Sequence, residues 1–260
     1  MNLPAADFLA TPAREDKPRC GGITHALDAA MPPDLLAAYL ASAGPYIDIV
    51  KLGWGLGYID PQLGRRAELC RQHAVILSAG GTLLEIAAHQ HKLPEFTVWA
   101  AGYGIGALEV SNGLGLLTVE QKQDIIADLA GQFVILAETG SKDERVVADP
   151  RAWAREMASD LAAGATWVIA EGRESGTAGL YRPDGSVREG LLDAILDRVG
   201  PDRVIFEAPR KSQQAWLIRR IGPGANLGNI RVEDVMAVET LRLGLRADTF
   251  APCCLNAAER

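Results

Sequence analysis

The sequence predicts an α/β protein built as a single (β/α)8 TIM barrel. Three observations lead there. The chain has 260 residues, close to the roughly 250 over which one such barrel commonly runs. Eight short apolar runs recur along it, separated by helix-like segments. Polar residues collect at the C-terminal ends of these runs, the face where barrel active sites lie.

The runs read as strands at Ile23–Asp28, Tyr46–Gly53, Ala74–Gly80, Gly106–Gly113, Phe133–Gly140, Trp167–Gly172, Arg203–Pro209 and Ala225–Ile230. Near-continuous apolar stretches of this length suit parallel strands buried on both faces. "PPDLLAAYLASAG" opens with prolines and an Asp, as helices do, and stops at a glycine. "TVEQKQDIIADLAG" begins with a capping box, Thr118 with Gln121. "DPRAWAREMASDLAAGA" has Asp149 as N-cap, Pro150 at the first helical position and Gly164 near its end. "KSQQAWLIRRIG" and "VEDVMAVETLRLGLR" follow the last two strands. The runner-up, a doubly wound open sheet, usually carries a glycine-rich dinucleotide loop after its first strand. That place holds "DAAMPPD", and "GYGIGALEV" precedes a strand instead of following one. No linker divides the chain, so the barrel is assigned to residues 22–250, with an arm at 1–21 and a tail at 251–260.

Composition narrows the partners. The formal net charge is -7, and the basic residues form no run or aromatic-interleaved patch. This argues against nucleic-acid binding. No apolar run reaches the ~18 residues of a membrane helix, and the start lacks the order of a signal peptide. Cys20, Cys70, Cys253 and Cys254 form no CxxC pair. Neither a disulfide framework nor a zinc site is indicated, and a reduced cytoplasm is expected.

Polar residues at the strand ends are Asp28, Lys51, Ser78, Glu109 with Asn112, Glu138, Glu171 with Arg173, Glu207, and Asn226 with Asn229. Each of the fourth to seventh strands ends near a glutamate. One such Glu is as well explained by a salt bridge inside the barrel. Four around one mouth, beside Lys51, Lys142, Arg173 and Lys211, describe a site, because a buried carboxylate costs several kcal/mol unless paired or metal-bound. Arg173 can grip a phosphate or carboxylate with two bonds. Lys211 opens a helix whose first-turn amides favour an anion. Asn226 and Asn229 sit in the eighth strand, where barrels often cradle phosphate. A small, multiply anionic substrate follows. Hard oxygen ligands, without Cys or clustered His, point to Mg²⁺ rather than zinc. His89 and His91, two residues apart at a helix end, point to different faces, and His25 reads as a hydrogen-bonded interior residue.

"DIVKLGWG", "GGTLLE", "LEVSNG", "EGRESG", "FEAPRKSQQ", "NLGNI" and "ETLRLGLRADTF" occur in order between Gly22 and Phe250. Together they resemble the phosphosulfolactate synthase family. The resemblance implies a Mg²⁺-dependent barrel enzyme that adds sulfite to phosphoenolpyruvate, giving 2-phospho-3-sulfolactate, the first intermediate of one route to coenzyme M. It implies a homo-oligomer, with a trimer as one form. It puts Lys142 forward as the general acid, with binding of the substrate carboxylate as its other reading. Lys51 is the rival acid or an anion ligand. Glu171 joins the catalytic set, Arg173 and Lys211 hold phosphate or sulfonate, and Glu109, Glu138 and Glu171 are the metal candidates, with the coordinating subset left open. The chain departs from the family at Ala29, Leu56, Gly57, Asn112, Arg210 and Ala247. These changes leave open a different nucleophile or acceptor, or a relative without catalysis.

Overall fold

The computed structural model describes residues 8–140 and 149–250. Eight parallel strands close into a barrel in sequence order. They are β1 (Thr24–Asp28), β2 (Ile49–Leu52), β3 (Ile76–Ala79), β4 (Ala107–Val110), β5 (Val134–Thr139), β6 (Trp167–Ala170), β7 (Val204–Glu207) and β8 (Asn226–Arg231). Each lies within, or within one residue of, an apolar run read from the sequence. β1 pairs with β8 to complete the ring.

Five helices stand where caps and periodicity put them: α1 (Pro33–Ala43), α6 (Val119–Leu129), α7 (Pro150–Ala163), α9 (Lys211–Ile221) and α10 (Val235–Arg242). The expected caps are present. Gln121 N–H donates to Thr118 Oγ1 at 3.2 Å, Thr118 N–H donates to Gln121 Oε1 at 2.8 Å, and Arg151 N–H donates to Asp149 Oδ1 at 3.0 Å. The remaining helices are α2 (Leu56–Ile59), α3 (Leu63–Gln72), α4 (Gly81–His89), α5 (Leu93–Gly102) and α8 (Glu189–Val199). Among the described residues no helix is long and apolar enough to cross a membrane.

Side chains alternate across each strand with period two. One face, including Ala26, Val50, Leu77, Leu108, Ile135, Val168 and Phe206, joins the helices in the main core. The other face fills the barrel with a small apolar layer of Ile23, Ile49, Ala107, Leu136, Ile169 and Ile205. Two residues further along each of those chains come His25, Lys51, Glu109, Glu138, Glu171 and Glu207. The strand period thus stacks a charged layer directly on an apolar floor.

The N-terminal face is closed by part of the predicted arm. Lys17 Nζ donates to the carbonyls of Gly44, Ile47, His73 and Ala74 at 2.8–3.0 Å. Arg14 pairs with Glu239 at 2.7 Å, and Arg19 with Asp48 at 3.2 Å.

Candidate active site

A cavity of about 630 Å³ opens at the C-terminal face. Lys51, Glu109, Glu138, Glu171, Arg173, Glu207 and Asn229 line it, with Trp54, Thr82, Ser111, Glu174 and Ser175 around them. All four strand-end glutamates therefore meet in one pocket.

Lys51 is the hub. Its Nζ lies 3.0 Å from Glu109, 3.4 Å from Glu207 and 3.8 Å from Glu138. Burial disfavours the ammonium, but these three carboxylates outweigh it and hold Lys51 above the usual lysine range. Glu109 is wholly buried, which opposes its charge. Lys51 and His25 overcome that and bring its carboxyl down to about 2. Glu109 Oε2 also accepts the Gly81 amide at 3.2 Å. Glu207 Oε2 accepts the Gly172 and Arg173 amides at 2.8 and 2.9 Å. Glu138 differs from both. Burial, with Glu171, Glu207 and Glu109 nearby, pushes its carboxyl well above the normal range despite Lys51.

The backbone makes room for this ring. A Cβ on Gly140 would sit 2.1 Å from Glu171 Oε2. Arg173 adopts φ +56°, turning the chain over the pocket beside Glu171, whose Oε1 lies 3.8 Å from Arg173 Nε. Asn229, at φ +52°, is also left-handed, and its buried Oδ1 has no hydrogen-bond partner among the described residues. His25 is fully buried with Nε2 3.3 Å from Glu109 Oε1. That carboxylate is its polar neighbour in the barrel interior, where the sequence puts it.

Other sequence candidates stand elsewhere. Asn226 is the first residue of β8, three residues before Asn229. Its Oδ1 accepts the Ile23 amide at 2.9 Å, and its Nδ2 reaches the carbonyls of Pro201, Asp202 and Val204. It ties strand starts together and does not line the cavity. Lys211 is half exposed, pairs with Asp248 at 2.7 Å and does not line the cavity. Asp28 is buried against Arg66, which also holds Asp60 at 2.9 Å. Lys142 lies outside the described residues.

The sequence reading passed over Glu85, which is fully buried in α4. It accepts the Ser111 hydroxyl and the Gly113 and Leu114 amides at 3.2 and 2.9 Å, fixing the rim after β4. Its signal in the sequence is a lone acid closing the apolar stretch "GGTLLE". Trp54 and Glu174 were also missed as partners, though each stands beside a glycine-bounded strand end.

The departures from the family pattern lie off the cavity lining. Gly57 packs where a Cβ would meet Leu52 and Trp99 at 3.2 and 3.3 Å. Asn112 closes its own loop: its Oδ1 accepts the Leu117 amide at 2.9 Å and its Nδ2 donates to the Leu117 carbonyl. Ala29, Arg210 and Ala247 are exposed.

Comparison with known proteins adds the chemistry of relatives. The profile of the (2R)-phospho-3-sulfolactate synthase (ComA) family matches residues 12–248. A phosphosulfolactate synthase of Bacillus subtilis is 39% identical over 248 residues, covering 94% of this chain and 98% of that protein. One from Methanothermobacter thermautotrophicus is 40% identical over 253 residues, covering 95% and 97%. Among solved structures, 3-hexulose-6-phosphate synthase from Salmonella typhimurium superposes with a TM-score of 0.57 at 12% identity, covering 86% of this chain and all of that one. That likeness speaks for the barrel alone. The family match spans the strands, the charged layer and the arm residues from 12 onward, and the chain belongs to the phosphosulfolactate synthase family of enzymes.

Proposed function

We propose that the chain adds sulfite to phosphoenolpyruvate with Mg²⁺, giving (2R)-2-phospho-3-sulfolactate. The observation that carries this reading is the full-length likeness to phosphosulfolactate synthases. The charged layer supports it. Sulfite attack on the methylene carbon moves negative charge onto the substrate carboxylate. A fixed, permanently charged ammonium at the cavity floor would stabilise that charge. Lys51 meets that requirement, and the carboxylates that hold its proton make it a poor donor. The proton for the carbon bearing phosphate is then assigned to Lys142, the family's lysine after the fifth strand. Arg173 and Asn229 face the cavity and serve as ligands for phosphate or the new sulfonate.

The donor set suits Mg²⁺. Its oxygens are hard, and burial together with the neighbouring carboxylates pushes the Glu138 carboxyl well above its usual range, an imbalance that a divalent cation relieves. Among the described residues no three acidic or histidine side chains form a ready-made metal cluster. Mg²⁺ commonly takes one or two carboxylates plus substrate oxygens and water. Glu138 and Glu171 would hold it, since Glu109 is engaged by Lys51 and Gly81. When bound, the ion supplies Lewis-acid stabilisation of the developing aci-carboxylate. Because the departures lie off the cavity, the family's substrate pair is retained in this proposal. Its subunits form a homo-oligomer, a trimer by family likeness, through the exposed apolar residues of α2 and α5.

Phosphorus NMR of the protein with phosphoenolpyruvate, sulfite and Mg²⁺ tests the reaction. A new phosphate-ester resonance should require all three. An unchanged phosphoenolpyruvate signal from folded protein would overturn it.

A further inference from the structure

Trp54 is placed in a way the reaction above does not explain. It follows β2 in the turn Gly53-Trp54-Gly55, is 58% exposed and yet lines the cavity. Its backbone is left-handed, at φ +47° and ψ 34°, and Gly55 follows at φ +73°. A bulky residue rarely adopts that region, and it persists only where surroundings enforce it. Here the turn aims the indole over the pocket. The indole Nε1–H donates to Glu174 Oε1.

Glu174 belongs to the loop after β6, one residue beyond the left-handed Arg173. In a closed ring of eight strands taken in sequence order, β2 and β6 are four apart in either direction. Their C-terminal loops therefore face each other across the mouth. The Trp54–Glu174 hydrogen bond spans the barrel opening, with Lys51, Glu138 and Arg173 among the groups lining the cavity that it crosses. Both residues are exposed at the rim. A single solvated hydrogen bond of this kind is readily broken and remade.

We propose that Trp54 and Glu174 form a latch that closes the barrel mouth over bound phosphoenolpyruvate. This rests on the substrate proposed above and assigns its closure. The indole covers the reacting carbon and keeps water from a centre where carbanionic charge develops. The latch must release to admit substrate and discharge product. Both are positioning residues, acting by closure.

The chain has five tryptophans, so the difference between wild type and W54F isolates the Trp54 fluorescence. Acrylamide quenching is measured first without ligand. In E174A the Trp54 signal should be quenched about twofold more readily than with Glu174 present, because one hydrogen bond no longer holds the ring. Equal quenching would overturn the latch, whatever the substrate. The second arm adds phosphoenolpyruvate and Mg²⁺, with binding followed independently by calorimetry. Bound phosphoenolpyruvate should protect Trp54 in wild type. E174A should lose that protection and show a KM raised about tenfold with a smaller change in kcat. Binding that leaves Trp54 quenching unchanged would overturn closure over the substrate. Absence of binding would sink the substrate assignment instead, with the first arm still deciding the contact between Trp54 and Glu174.

Discussion

The Lys51 ammonium is shared among three carboxylates, and Glu138 is the most distant of them at 3.8 Å. This inequality sets its behaviour. Glu138 is buried with three like charges near it and only part of one positive charge to compensate. Its native pKa is raised above the ordinary value of 4.5, so the folded state binds a proton that the unfolded chain releases. Its effect on stability is most favourable below about pH 4.5 and is lost as pH rises towards the raised native value. Glu138→Gln removes that loss. Without Mg²⁺, the variant should melt higher than wild type at pH 8, by about 2–4 °C for each kcal/mol gained, and the gap should narrow towards pH 5. Mg²⁺ should raise the melting temperature of wild type more than that of the variant, while turnover by the variant falls. A melting difference that widens towards pH 5 would refute the charge-excess account. The glutamates could be seen in the sequence because each ends an apolar run. Their division of labour could not, since it depends on distances of a few tenths of an ångström around one lysine. Asn226 shows the same limit. In "NLGNI" both asparagines look alike, and only the strand's direction separates a residue that ties strand starts from one at the site.

At the scale of elements, β5 is held from outside the barrel. Lys122 of α6 is fully buried and donates to the Glu138 carbonyl at 2.8 Å, Glu156 at 2.7 Å and Asp160 at 2.7 Å. One ammonium therefore fastens α6 to α7 and to the strand that carries Glu138. Burial disfavours its charge, but Asp160 and Glu156 prevail and raise its pKa. Lys122→Met should cost about 3–5 kcal/mol, because it strands the buried Asp160 carboxylate, with the half-buried Glu156 beside it, without a counter-charge. Urea unfolding measures this, and a loss below about 1 kcal/mol would show that the carboxylates find another partner. The helices around this anchor were legible through their caps, Thr118 with Gln121 and Asp149 with Pro150. Lys122 itself was not, because it reads as a surface residue although Ile125, Ile126 and Leu129 share its buried face. The strands were the clearest elements, since burial on both faces leaves long apolar runs. α2 offered little signal. It has four residues and begins after two left-handed positions, Trp54 and Gly55.

For the whole molecule, α2 connects the mouth to the outer surface. Tyr58 and Ile59 are 76% and 75% exposed, and Val98 on α5 is 74% exposed. The two helices are in contact, because Gly57 packs against Trp99. Apolar side chains gathered on adjoining elements mark an association surface more strongly than the same residues scattered singly. A homo-oligomer formed there would bury them against a second copy and immobilise α2. Ile59→Asp should then lower the mass seen in sedimentation to that of the monomer while leaving a cooperative melt, since the side chain contributes nothing to the barrel core. It should also act at a distance. Trp54 lies only two residues before α2, so freeing that helix loosens the turn that aims the indole across the mouth. The variant's KM for phosphoenolpyruvate should rise as in Glu174→Ala, with kcat less affected. An unchanged mass would place the interface elsewhere. A monomeric variant with wild-type KM would show that the turn around Trp54 is held by the barrel alone.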